Sequence, residues 1–371
     1  MSDHTLQSAT LVRFAIVGCG AIAPTQAQAL KEIPEFARVT HCVDTDCARA
    51  EAFAAKHGLV AIGWEDALRH PEIDAVTLCT PSGVHGKLAE EALRAGKHVV
   101  VEKPMEITVE ACDALITAQR ETNRKLAVIS QHRFDPASQM VRKLVGEQAL
   151  GRLIAADVRI PWFRTQEYYD SGDWRGTWAL DGGGCLMNQG IHTVDLMLWL
   201  LGPVKEVYAS VATAAHERIE VEDLVSATLV FANGALGTLF ASTALYPGFP
   251  IRLGVFGTEG SAIIEGDVLH TLAIRGRDTV AGQVASSHAI QVATGGTRSA
   301  VHHAAQATPA DTAAQAGTWK WGDAHRAQFI DFVSAIREDR PPLVDGHAGR
   351  SAVALIRAVY ESARTGSVVR L

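Results

Sequence analysis

In the first third of the chain, short apolar runs alternate with longer stretches of mixed polarity. VRFAIV (12–17), RVTHCV (38–43), DAVTLC (74–79), KHVVVE (97–102) and KLAVIS (125–130) read as strands. The stretches from about Pro24, over 46–58, over about 84–95 and over about 108–122 read as helices. This alternation predicts βαβ units and a parallel sheet, and unbroken apolar runs suit strands covered on both faces. Beyond about residue 131 the pattern changes to strands joined by short turns, in the segments 151–163, 204–214, 222–243 and 251–266. Asn233-Gly234 is a strong hairpin signal. Two helices close the chain at about 323–338 and 347–365. Residues 281–318, rich in Ala, Gln, Thr, Ser and Gly, read as a long loop of functional or mobile kind. The expected fold is α/β: an N-terminal domain over 1–130 on a parallel sheet and a C-terminal α+β domain over 131–371, with a large, mostly antiparallel open sheet.

Composition adds exclusions. The chain has 371 residues, 47% of them hydrophobic, enough for two cores. A formal net charge of −7 without basic clusters argues against nucleic acid or an anionic membrane surface as partner. No apolar run reaches the roughly 18 residues of a membrane span, and MSDHTLQSATLVRF lacks the basic and apolar regions of a secretory signal. Six cysteines without a CxxC pair suit a reducing cytoplasm.

Gly18-Cys19-Gly20-Ala21-Ile22-Ala23 is a GxGxxA sequence that follows a strand and opens a helix. Its glycines let backbone approach a pyrophosphate, and the helix N-terminus supplies N–H donors, so residues 1–130 are expected to form a Rossmann dinucleotide-binding domain. Asp44, ending the next strand, can accept from both ribose hydroxyls and repels a 2′-phosphate, so NAD is expected over NADP. Thr80, Pro81 and Ser82 fall on the carboxyl edge of the sheet, where a ligand binds. His85 either touches the cofactor or belongs to the first helical turn. Glu102, Lys103 and Pro104 end a further strand at the same edge, an unusual place for charge unless it has a partner or a task.

In WRGTWALDGGGCLMNQGIHTVDLMLWLLG (174–202), Asp181 reads as an N-cap of a helix running to about Leu201. Asn188 and His192, at i and i+4, share a polar ladder that Asp195 nearly joins. Asp195 can accept the proton of His192. No second His or Cys stands at metal-ligand spacing, so no metal is expected. Arg133 lines the substrate cleft or pairs with an acid at the domain junction. Trp174 and Arg175 reach a phosphate or sugar face, or pack at a domain or subunit boundary.

The Glu-Lys-Pro at 102–104, QHRFDPA (131–137), the segment at 174–202 and the closing segment resemble the Gfo/Idh/MocA oxidoreductases, over nearly the whole chain except the 281–318 loop. The resemblance implies a catalytic lysine in Lys103, a glutamate near the cofactor in Glu102, a frequently cis peptide before Pro104 and a histidine base in His192. The family often has aspartate where this chain has Asn188; an amide orients a hydroxyl but takes no proton, which leaves His192, a near-neutral imidazole, as the base. The implied activity is NAD-dependent oxidation of a secondary hydroxyl of a sugar, sugar derivative or cyclitol, in a homodimer or homotetramer. A redox-neutral NAD-dependent glycosidase or lyase and a non-catalytic NAD-sensing regulator are the alternatives in the same family.

Overall fold

The computed structural model describes residues 11–276, 280–281 and 322–371. The long loop expected at 281–318 therefore lies, but for residue 281, outside the described residues. Six strands, β1 (Val12–Val17), β2 (Ala37–Val43), β3 (Val60–Ala61), β4 (Ala75–Leu78), β5 (His98–Val101) and β6 (Leu126–Val128), form a parallel sheet in the order β3-β2-β1-β4-β5-β6. Between them run α1 (Ala23–Lys31), α2 (Cys47–His57), α3 (Trp64–Arg69), α4 (His85–Arg94) and α5 (Val109–Thr122). The order reverses between β1 and β4, and the strand ends there open a crevice. Local chemistry sets the helix limits. Asp46 accepts from Arg49 N to start α2, Thr108 accepts from Ala111 N to start α5, and Gly58 ends α2 at φ 72°. β3 and α3 are too short to leave a periodic signal, and neither was expected.

The second sheet has nine strands in the order β14-β13-β12-β11-β7-β10-β9-β8-β15. They are β7 (Leu153–Pro161), β8 (Val204–Ala212), β9 (Leu224–Phe231), β10 (Leu236–Ser242), β11 (Arg252–Gly257), β12 (Gly260–Glu265), β13 (Val268–Ile274), β14 (Val280–Ala281) and β15 (Val369–Arg370). Every pairing is antiparallel except β7 with β10. The β9–β10 turn carries Asn233 and Gly234, the latter at φ 87°, which glycine adopts without strain. A helix over Pro136–Gly146, α6, links the two sheets and was not foreseen; α7 (Gln166–Asp170) follows β7.

One face of the second sheet is covered by α8 (Ile191–Leu201) and by α10 (Gly346–Thr365), the longer of the closing helices. The opposite face leaves Tyr208 and Leu236 exposed. The closing helices return to the first sheet. Phe329 and Phe332 of α9 (Asp323–Arg337) pack on Phe14 of β1, with ring centroids 5.9 and 6.2 Å away. Burying each ring contributes about 1.5–3 kcal/mol. No helix among the described residues is long and apolar enough to cross a membrane.

Candidate active site

The crevice between β1, β2 and β4 has the form a dinucleotide needs. Gly18 takes φ 88°, and a Cβ there would lie 2.8 Å from the Cys79 carbonyl, so the turn admits only glycine. Gly20 has open space around it, and the start of α1, at Ile22, has no side-chain cap. The amide donors at that terminus, over Ala21 and Ile22, are thus left for an anion. Asp44 is held at the end of β2 by Cys19 N (2.8 Å) and Asp46 N (2.9 Å). The Thr80 hydroxyl, at the end of β4, is buried without a partner. Pro81 and the buried Ser82 form the turn that follows. These features fit NAD, which when bound supplies the hydride acceptor. Asp44→Ala should weaken NAD binding and narrow the preference over NADP, since a 2′-phosphate beside a carboxylate sets like charges together. Titration of both cofactors by fluorescence checks this; tighter NADP binding by the unaltered chain would contradict it.

His85 does not offer a nitrogen to the cofactor. Its Nδ1 lies 2.8 Å from Pro104 O and its Nε2 2.9 Å from Thr80 O, and the ring is buried. It braces the turn that carries Lys103, whose peptide bond to Pro104 is cis. Glu102 is buried as well and accepts from Gln26 Nε2 at 2.5 Å. Burial raises its pKa, and Lys103 and Gln26 oppose that rise. Lys103 Nζ donates to the main-chain carbonyl of Asn188 at 2.6 Å, which joins the two halves of the site. Burial pulls the Lys103 pKa below the ordinary lysine value; Glu102 and Asp181 favour its charged form, and Arg175 and Arg164 oppose it.

The segment carrying Asn188 and His192 is not one α-helix capped by Asp181. A π-helical turn, Cys185–Gly190, precedes α8, and Asp181 lies outside both. The Asp181 carboxylate accepts from Gly176 N (2.9 Å) and from the Asn188 amide. It is buried, and burial raises its pKa. The turn is anchored from below by Glu222, which accepts from Gly184 N (2.8 Å), Leu186 N (2.9 Å) and Tyr360 OH (3.0 Å). Gly182 and Gly184 are required by close approach: a Cβ on the first would strike Ile107 and on the second the Glu222 carbonyl. Beside them, Gly83 N donates to Leu180 O at 2.8 Å.

His192 receives no help from Asp195, contrary to the reading of the polar ladder. Asp195 is taken by Arg133 Nε (2.7 Å) and Nη2 (2.6 Å) and by the Ser130 hydroxyl. Arg133 is thereby a buried junction residue and does not line the cleft. His192 Nδ1 is buried without a partner, which leaves Nε2 as the nitrogen open to a ligand. Burial first, then Lys103, His132 and His325, push the His192 pKa well below the ordinary imidazole value. The ring is a neutral base, and the near-neutral titration expected of it is displaced to lower pH. Lys103 and His192 line one cavity together with Ser130 and Ile191.

Next to Asn188 the structure collects residues that sequence reasoning missed. Gln189 Nε2 donates to Asn188 Oδ1 (3.0 Å) and Tyr168 OH (2.8 Å), and its Oε1 accepts from Arg164 Nη2 (3.0 Å). Arg175 Nη1 donates to the same tyrosine at 2.7 Å, and its guanidinium lies over Tyr168 and Trp174, 4.4 and 4.5 Å from the ring centroids. Arg164 stacks on Trp162 and Tyr168, and its Nε is buried without a partner. The only signal for Arg164 was a basic residue directly after a strand, among aromatics. Among the described residues, His132, Asp135 and Asp267 alone stand close enough to hold a cation together. His132 Nδ1 already lies 2.7 Å from Asp135 and 3.3 Å from Asp267, so the group is engaged within itself.

Residues 12–130 match the model of an oxidoreductase family with an NAD-binding Rossmann fold, and residues 138–263 match that of the GFO/IDH/MocA C-terminal domain. Inositol 2-dehydrogenase of Rhizobium meliloti is 27% identical over 360 residues, which cover 95% of this chain and 96% of that protein. The WlbA dehydrogenase of Bordetella pertussis, solved with NADH and UDP-GlcNAcA, is 31% identical with a TM-score of 0.81, over 98% of this chain and 99% of that one. The aldose-aldose oxidoreductase of Caulobacter crescentus, solved with glycerol, is 25% identical with a TM-score of 0.79, over 98% of this chain and the whole of the other.

Proposed function

Since the chain belongs to the GFO/IDH/MocA family of NAD-dependent oxidoreductases, we propose that it oxidises a secondary hydroxyl of an anionic sugar derivative, a sugar acid or a nucleotide-linked sugar. The observation that carries this is the convergence of Arg164 and Arg175 beside Lys103. Three cations close enough to act on one another, in a chain of net charge −7, favour a carboxylate or phosphate there. UDP-GlcNAcA, the ligand of the WlbA relative, is such a molecule.

In this reading residues 1–130 hold the cofactor and residues 131–371 hold the sugar. His192 Nε2 accepts the hydroxyl proton as the carbon gives up hydride. The Lys103 ammonium stabilises the oxygen as negative charge develops on it. Asn188, its amide turned by Asp181, orients the sugar. Trp174 and Tyr168 keep Arg175 stacked and pre-organised for the anionic group. The exposed face of the nine-stranded sheet supports a homo-oligomer, and six free thiols support a reducing cytoplasm.

NADH formation from NAD with UDP-N-acetylglucosaminuronic acid, glucuronic acid, glucose and myo-inositol tests the reading. An anionic probe should react fastest. Arg175→Gln should raise its KM about 10- to 100-fold, the value of a charge-assisted hydrogen bond, with little change in kcat. Equal rates on glucose or inositol, or an unchanged KM, would remove the anion site; conversion of the probe to a product of the same oxidation level without net NADH would mark a redox-neutral enzyme.

A further inference from the structure

The polar cluster beside Asn188 fixes the place of its own hydrogens, because two of its members can only donate. A guanidinium nitrogen offers no lone pair to a hydrogen bond. Arg164 Nη2 lies 3.0 Å from Gln189 Oε1, which turns the oxygen of that amide towards Arg164 and its NH2 group towards the rest of the cluster. Both amide hydrogens are then spent, one on Asn188 Oδ1 (3.0 Å) and one on Tyr168 OH (2.8 Å). Arg175 Nη1 donates to the same phenol oxygen at 2.7 Å. Tyr168, on α7, thus accepts twice, and its own hydrogen enters neither bond. Among the described residues no acceptor receives that hydrogen. Asp181, whose field reaches the phenol, accepts instead from Gly176 N and the Asn188 amide. The neighbouring Tyr169 differs: it is buried, and its hydroxyl pairs with Thr243 Oγ1 at 2.7 Å. Tyr168 is half-buried.

We propose that Tyr168 is a specificity residue, which donates its hydroxyl hydrogen to an oxygen of the substrate's anionic group. The inference rests on the anionic-sugar reading of the same site. It gives Tyr168 a contact of its own, beyond the stacking that holds Arg175.

The chemistry of the phenol selects the ligand group. Both lone pairs of its oxygen are filled, so a group placed there must accept and finds nothing on Tyr168 to donate to. A carboxylate or phosphate oxygen only accepts, and it gains a charge-assisted bond. A hydroxyl accepts too, but its own hydrogen then faces a filled oxygen and two guanidinium groups, which lie 4.4 and 5.1 Å from the ring centroid. An unpaired donor costs affinity. The phenol keeps its hydrogen at neutral pH: burial first, then Asp181, hold its pKa above the ordinary tyrosine value against Arg175, Arg164 and Gln189. Arg164 Nε, buried without a partner, is a second unspent donor in the same cluster.

The test measures binding by calorimetry to the NADH-bound protein, in which no hydride can leave the sugar. UDP-N-acetylglucosaminuronic acid carries a carboxylate and phosphates, UDP-N-acetylglucosamine the phosphates alone, and glucose neither. Tyr168→Phe keeps the stacked ring. It should weaken anion binding about 10- to 100-fold, the value of a hydrogen bond to a charged group, and leave glucose and NADH affinity unchanged. A loss on the acid alone assigns the bond to the carboxylate; an equal loss on both UDP-sugars assigns it to a phosphate. Were the phenol only a support for Arg175, Tyr168→Phe would cost nothing more in an Arg175→Gln background. A contact of its own should cost about 10-fold again there. No loss on either UDP-sugar, an equal loss on glucose, or no added loss in the Arg175→Gln background overturns the inference. An unaltered protein that binds glucose as tightly as both UDP-sugars overturns the anionic-sugar reading instead, and shows it before any variant is made.

Discussion

Replacing Lys103 with Met should lower turnover about 10²–10³-fold, the loss expected when a charged donor is removed from an oxygen that gains charge in the transition state. Methionine fills similar space, so NAD affinity should change little. The structure adds a pH signature. Burial lowers the Lys103 pKa, and the ammonium is the active form. Wild-type activity should therefore fall with rising pH at a value below the ordinary lysine range near 10.4. The variant should lose that alkaline limb. Asp181 favours the charged lysine, so Asp181→Asn should move the limb to still lower pH. Steady-state rates across pH, with cofactor affinity measured separately by fluorescence, decide the matter. A Lys103→Met enzyme with wild-type turnover would show that the charged end of β5 serves another purpose.

His192→Ala should cost about 10²–10⁴ in turnover, the usual value of a positioned general base. The ring sits far enough below its ordinary pKa that it is already in its basic form at neutrality. The acid limb it contributes should lie well under pH 6.5. The Lys103→Met/His192→Ala double variant should lose less than the product of the two single losses, because both groups act on one oxygen and its proton. Multiplying losses would mean that the two act on different steps. Full activity in His192→Ala, with folding and NAD binding intact, would move the base elsewhere.

The βαβ alternation was legible because apolar runs such as VRFAIV and HVVVE have no other economical home than a covered parallel sheet. Gly18, Asp44 and Thr80 could be named because strand, turn and helix come in register; the structure gives Gly18 a positive φ, ties Asp44 to Cys19 N and leaves the Thr80 hydroxyl without a partner. Lys103 and His192 were named through resemblance to a family; their meeting is a tertiary fact, made by the bond from Lys103 Nζ to the Asn188 carbonyl 85 positions away. What periodicity could not supply was the fate of single carboxylates. Asp195 stands three residues from His192 yet turns to Arg133, and Asp181 resembles a cap yet holds a side-chain amide. His132 and Asp267 are 135 residues apart, and nothing local joins them. The π-helical turn at Cys185–Gly190 was missed for a related reason: it follows from anchoring by Glu222 and Tyr360, which belong to β9's approach and to α10.

The pressed seam at residues 179–184 has a consequence for recombination. Leu180 is bonded to Gly83, Gly182 has room only for hydrogen against Ile107, and Gly184 fits against Glu222. The piece of chain that sets where His192 points is thus shaped on one side by the first 130 residues and on the other by the remainder. A hybrid that joins the first 130 residues of one relative to the remainder of another inherits two surfaces that were never fitted to each other. Its Phe329 and Phe332 would also meet a foreign β1, and its lysine and histidine would be out of true. Productive hybrids should be those that carry residues 83, 107 and 179–184 from a single parent, which makes this seam, and not the junction in the primary chain, the natural unit of exchange.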